Sequence, residues 1–103
     1  MLGTDAFATW SRTWVAEALI RVGDLDAARQ ELDEIDRKLA LGDERLAELR
    51  RAYVEGVFCR AQGDVAGAAG RFRDVIASAQ AARARGAELE AEAALQALTA
   101  DAG

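Results

Sequence analysis

Histidine and proline are both absent from the 103 residues, and cysteine occurs once. Without imidazole the chain lacks the side chain that most often moves protons at neutral pH, pairs with a nucleophile or binds a transition metal. A lone thiol, Cys59, cannot close an internal disulfide, so nothing points to an oxidising compartment. Apolar runs are short. None approaches the 18 or so residues of a membrane span, and Met1-Leu2-Gly3-Thr4-Asp5 has no basic region leading into an apolar stretch. A cytoplasmic protein is the default expectation. Aromatic residues make up only 6%.

What remains is helix-forming. Ala, Leu, Glu and Arg dominate, and β-branched residues are scattered with no period-two run. Half the residues are hydrophobic and 30% are charged, which is the balance of a folded domain. The length suits one domain over 1–103. The 13 Lys and Arg are outnumbered by 18 Asp and Glu, giving a net charge of -5. That sign opposes a phosphate backbone, and no nucleic-acid partner is expected. The basic spots Arg50-Arg51, Arg71, Arg73, Arg83 and Arg85 read as solvated helix faces.

Glycines punctuate the chain. Gly23, Gly42, Gly63 and Gly86 each follow a helical pattern, and Asp24, Asp43 and Asp64 stand where an N-cap belongs. Five helices are predicted, over about 4–22, 24–41, 43–62, 64–85 and 87–101. In the first, Phe7, Trp10, Trp14, Leu19 and Val22 fall near one side, with Val15 and Ala18 beside them. The second is cleanest: Leu25, Ala28, Leu32, Ile35 and Leu39 step by three and four. The third offers Leu46, Leu49, Tyr53, Gly56 and Val57, flanked by Val54 and Phe58. The fourth offers Val65, Ala68, Phe72, Val75, Ile76 and Ala79. The fifth is weakest, with Leu89, Leu95 and Leu98 among alanines. Links this short force antiparallel neighbours. The fold class is all-α, built from helical hairpins.

Those hairpins repeat. Gly23-Asp24-Leu25-Asp26-Ala27-Ala28 returns forty residues on as Gly63-Asp64-Val65-Ala66-Gly67-Ala68. At the same offset Leu32 meets Phe72, Ile35 meets Val75, Leu39 meets Ala79, Ala16 meets Gly56 and Leu19 meets Cys59. These residues resemble the tetratricopeptide repeat (TPR) family: a small residue midway along the first helix, a Gly-Asp turn, a second small residue at Ala28 and Ala68, then a bulky one at Leu32 and Phe72. The period exceeds the family's usual 34 or so, and in this it is similar to the longer repeats of large bacterial transcription regulators. Proline is missing from the end of the second helix, and Gln96 stands where a third small residue belongs. A HEAT-like hairpin array stays open at this period. The resemblance implies hairpins stacked as an α-α superhelix, with repeat 1 at about 4–41, repeat 2 at about 43–85 and a trailing helix at about 87–101. Another step of forty reaches Gly103, so a piece of a longer array is expected.

In such arrays the first helix of each pair lines the concave face. Carried onto this chain, the resemblance puts Trp10, Thr13, Glu17 and Arg21 there from the first helix, and Arg50, Tyr53, Val57 and Arg60 from the third. Aromatics with arginine on a curved wall are the mix of binding hot spots. Arg50 and Arg60 are positioned to fork onto the carboxylate of an acidic or C-terminal peptide. Trp14 is assigned to the core, whereas Trp10 and Tyr53 stand between core and groove. The expected function is a protein–protein interaction module for a peptide or protein surface, within a regulatory or scaffold array. A ligand-sensing domain of a transcription regulator and a self-assembling helical oligomer are the alternatives. Two and a half repeats leave apolar ends, so a homodimer hiding Phe7, Trp10 or the Leu95–Leu98 edge is expected. No enzyme, cofactor or metal is expected: Cys59 lies in an apolar stretch, the acidic run Glu31, Asp33, Glu34 and Asp36 is interleaved with Arg29, Arg37 and Lys38, and Gly67 and Gly70 lack the lysine of a phosphate loop.

Overall fold

The computed structural model describes residues 2–41 and 45–102, with side chains for residues 8–41 and 45–100. Five helices follow one another: α1 (Leu2–Arg21), α2 (Leu25–Leu39), α3 (Arg45–Ala61), α4 (Val65–Ala82) and α5 (Arg85–Ala102). Among the described residues there is no strand, and no helix is long and apolar enough to cross a membrane. The class expected from the sequence is therefore the observed one. The turn at Gly42 and the cap at Asp43 lie outside the described residues.

Two turns forty residues apart match bond for bond. Gly23 and Gly63 take left-handed φ values of 87° and 84°, which glycine adopts without a Cβ clash. The Asp24 amide donates to the Leu19 carbonyl at 2.9 Å, and the Asp64 amide to the Cys59 carbonyl at 2.9 Å. The Asp24 carboxylate accepts from the Ala27 amide at 3.2 Å, and that of Asp64 from the Gly67 amide at 2.9 Å. Each turn thus closes one helix and caps the next with the same residues.

The third described turn departs from the sequence reading. Helix α4 ends at Ala82, and the left-handed residue is Arg83 (φ 56°), not Gly86. The Ala84 amide donates to the Ala79 carbonyl at 2.8 Å, the same closing bond as in the glycine turns. Gly86 sits in the first turn of α5, where a Cβ would meet nothing. An arginine in that conformation stores about 1–2 kcal/mol of local strain. Arg83→Gly is expected to raise stability by roughly 0.5–1 kcal/mol, net of glycine's extra entropy in the unfolded chain. A higher thermal midpoint would show it; an unchanged or lower one would refute the turn.

Helix α1 packs on α2 and α3, α3 on α4, and α4 on α5, with lesser contacts of α2 and α5 against α3. The slab is 17 Å through its thinnest direction, about two helix layers. One core cluster joins Ala16 and Ile20 of α1, Ala28, Leu32 and Ile35 of α2, and Val54 and Phe58 of α3. The next joins Cys59, Ala68, Phe72 and Leu98. Tyr53 and Val57 touch both. Leu32 and Phe72, forty apart, are each fully enclosed, as are Ile35 and Val75.

Helix α1 buries a different face from the one expected. Its inner stripe is Thr9, Thr13, Ala16 and Ile20, while Trp14, Val15 and Val22 are exposed. Small side chains let α1 approach two helices at once, which a stripe of tryptophans would prevent. Leu46, Val65 and Leu89 are likewise exposed rather than core. The Leu95–Leu98 edge is not an open end: Leu98 is buried in the second cluster and Leu95 packs on it.

Charged side chains tie α2 to α3. Arg51 donates to both oxygens of Asp36 at 2.9 Å and to Glu55 at 2.6 Å, and Arg29 donates to Glu55 at 3.3 Å. Burial alone would raise the Glu55 pKa. The hydrogen bond and charge of Arg51, helped by Arg29, outweigh it, so the carboxyl titrates below its ordinary value. A depressed folded pKa gives stability that is complete above the ordinary value and disappears as pH falls through the folded one. Unfolding midpoints in urea are expected to drop between about pH 5 and pH 3. Glu55→Gln should flatten that drop; an equally steep drop in the variant would remove Glu55 from the account.

Candidate functional site

The inner faces of α1, α3 and α5 line a groove. Its first half is a cavity of about 270 Å³ among Trp10 and Trp14 of α1, Leu46, Leu49, Arg50 and Tyr53 of α3, Val75 of α4, and Ala87 and Glu90 of α5. The second, also about 270 Å³, is lined by Trp14, Glu17, Ala18, Arg21, Tyr53 and Glu90. Trp14, Tyr53 and Glu90 belong to both halves, so the two are continuous around them. Another cavity, of about 350 Å³ between α3 and α4, carries Arg45, Glu48 and Asp74 with Leu49, Val75 and small side chains, and no aromatic ring.

Arg50 organises the groove. It is 6% exposed, and its guanidinium donates to Glu17 of α1 and, at 3.1 Å, to Glu90 of α5. One side chain of α3 thereby joins both neighbouring odd-numbered helices. Its guanidinium carbon lies 3.6 Å from the Trp14 ring centroid and 5.1 Å from that of Tyr53, close enough for the positive charge to interact with both π faces. Trp10 meets Trp14 edge-on, centroids 5.7 Å apart. Arg21 donates to the second oxygen of Glu17 at 2.7 Å. Burial first, then the charges of Glu90 and Glu17, pushes the Tyr53 hydroxyl above its usual value, so it stays protonated.

Five of the eight residues expected on this wall line the groove: Trp10, Glu17, Arg21, Arg50 and Tyr53. Thr13 lies beneath it, fully buried, its hydroxyl donating to the Trp10 carbonyl at 2.5 Å. Val57 packs into both core clusters, and Arg60 is exposed outside both halves of the groove. Arg50 is not open to fork onto a guest carboxylate, because two internal carboxylates already hold it. Trp14, expected in the core, is 46% exposed and forms the groove wall. The sequence reading also passed over Glu90, although the repeat contains the signal. Trp10, Arg50 and Glu90 are successive steps of forty, equivalent positions on α1, α3 and α5.

Burial pushes the Cys59 thiol up, away from the thiolate a nucleophile needs. Among the described residues, no group of His, Cys, Asp and Glu is placed to hold a metal ion. No family model matches the chain, and neither a curated protein nor a solved structure matches it.

Proposed function

We propose that the chain is a protein-interaction module whose α1–α3–α5 groove takes an apolar segment of a partner, as a peptide or as one face of a helix. The exposed Trp10–Trp14 pair carries this reading. Two large rings stand at the mouth of a groove walled by three helices, in a chain that is only 6% aromatic. Such rings give up much apolar area to a guest at little entropic cost. The groove's own charges pair internally, Arg50 and Arg21 with Glu17 and Glu90. An apolar guest therefore suits it better than the acidic tail suggested by the arginines alone. The forty-residue repeat, with its resemblance to the TPR family, supports this role within a regulatory or scaffold array. The groove is open along three helices and its charged groups are already paired with one another, which ranks ligand sensing second.

Both tryptophans of the chain line the groove, so intrinsic fluorescence at a fixed protein concentration reports on its occupancy. Peptides selected on an array should shift its emission to the blue on binding. Trp10→Ala, at a 37% exposed position, should weaken that binding at least about tenfold while leaving the helical circular dichroism intact. Peptides that bind the variant as tightly as the parent would remove the groove from the proposal.

A further inference from the structure

The outer face of α1 is a second surface that meets the groove at Trp14 and Ala18. Ala8, Ser11, Val15, Ala18 and Val22 follow one another by three, four, three and four residues, the spacing of a coiled-coil seam. They form one side of α1 and run on just past its end. Val15 is half-exposed, Val22 is 77% exposed, and Ala8 and Ala18 are open to solvent. Trp14 borders the seam. None of these residues is charged, although charged residues make up 30% of the chain.

The repeat says what such a face is for. Forty residues on, Trp14, Ser11, Val15 and Ala18 correspond to Val54, Arg51, Glu55 and Phe58 of α3. Val54, Glu55 and Phe58 are buried, and Arg51 nearly so, because the α1–α2 hairpin packs on them. The outer face of α1 is thus the continuation of an interface already present one repeat later, uncovered at this edge of the slab. Its counterpart in α3 uses Arg51 and Glu55 to meet charges on α2, whereas α1 has serine and valine there and meets no charge. Its fitting partner is a helix equally free of charge along the contact.

We infer that this seam binds the same seam of a second copy, making a two-fold dimer through α1 against α1. A two-fold axis beside Val15 sets the Ala8 end of one helix against the Val22 end of the other, so both exposed seams are covered and the assembly closes. Ala8, Ser11 and Ala18 let the helices approach closely. The side-chain area still open on Val15 and Val22 falls well below the ~800 Å² per partner of a standard interface. The dimer is therefore weak and reversible. Each copy carries a net charge of -5, so the uncharged seam associates against mutual repulsion, and added salt strengthens the dimer.

Sedimentation of the whole chain from about 10 µM to 1 mM tests this. The expected result is a monomer passing to a dimer, shifted toward dimer by salt. Val15→Glu and Val22→Glu should each weaken the dimer at least tenfold at unchanged helical circular dichroism, since both positions are exposed. Leu89→Glu, on the exposed side of α5, should leave it intact. A monomer throughout, open-ended growth beyond the dimer, or a dimer broken by Leu89→Glu and spared by Val15→Glu would each overturn the assignment. The groove reading is tested separately, because Val15 and Val22 line neither half of the groove and Trp10 lies outside the seam.

Discussion

Gly56→Ala is expected to lower the stability of the chain by about 1–3 kcal/mol, although alanine is the better helix former by about 1 kcal/mol. A Cβ on Gly56 would stand 2.5 Å from Cε1 and 2.8 Å from Cδ1 of Phe72. That ring cannot swing clear: it is 1% exposed, sealed among Ala68, Cys59 and Leu98, and tilted against Tyr53 with centroids 5.6 Å apart. Here the missing Cβ is what lets α3 and α4 close on each other. Phe72→Ala should cost about 3–5 kcal/mol, a large share of the 5–15 kcal/mol that holds a domain together. The two changes should not add. With leucine at 72 the clash is gone, and Gly56→Ala should then be neutral or stabilising. Urea unfolding of the four proteins in this cycle gives the coupling directly. Additive losses would mean that Gly56 and Phe72 are not in contact.

That pair also shows what the sequence discloses. The offset of forty set Gly56 beside Ala16 and Phe72 beside Leu32, and the paired turns at Gly23 and Gly63 agree with it in conformation and hydrogen bonding. Helix α2 was legible because its inner residues are large and evenly spaced, and Leu32 and Ile35 are indeed enclosed. Helix α1 misled because its largest residues are not its core. Thr9, Thr13 and Ala16 lie inward, where closeness to α2 and α3 matters more than apolar volume. Nothing local says that a tryptophan will cover an arginine from another helix. Trp14 stays half-exposed because its π face is taken by Arg50, a contact spanning α1 and α3. Arg83 was hidden for a different reason. The nearby Gly86 offered a cheaper left-handed residue, yet the bond from the Ala84 amide to the Ala79 carbonyl closes α4 three residues earlier.

The site was half legible. Trp10, Glu17, Arg21 and Tyr53 followed from the family resemblance, whereas Trp14, Glu90 and the part played by Arg50 did not. An arginine on a concave wall suggests a guest's carboxylate. Whether Glu17 and Glu90 reach it first depends on helix spacing, which composition does not encode.

Arg50→Ala should therefore act on the fold before it acts on any guest. Removing the guanidinium leaves Glu17, 6% exposed, with only Arg21, whose own side chain lies mostly in solvent. Breaking one side of a buried pair in this way costs about 3–5 kcal/mol. The variant also loses the link to Glu90 and the stack on Trp14, so α1, α3 and α5 are no longer fastened together. Lysine at 50 should restore little of this, since a single ammonium cannot lie flat on a ring and reach carboxylates on two helices. Pairing Arg50→Met with Glu17→Gln removes both buried charges at similar volume and should recover most of the loss. Thermal unfolding of the single and double variants tests that order. The double variant then separates structure from recognition. If Arg50 is a fastening and the tryptophans do the binding, the refastened groove should still capture an apolar peptide and shift its emission to the blue. A double variant that folds like the parent but no longer binds would make Arg50 a contact of the guest.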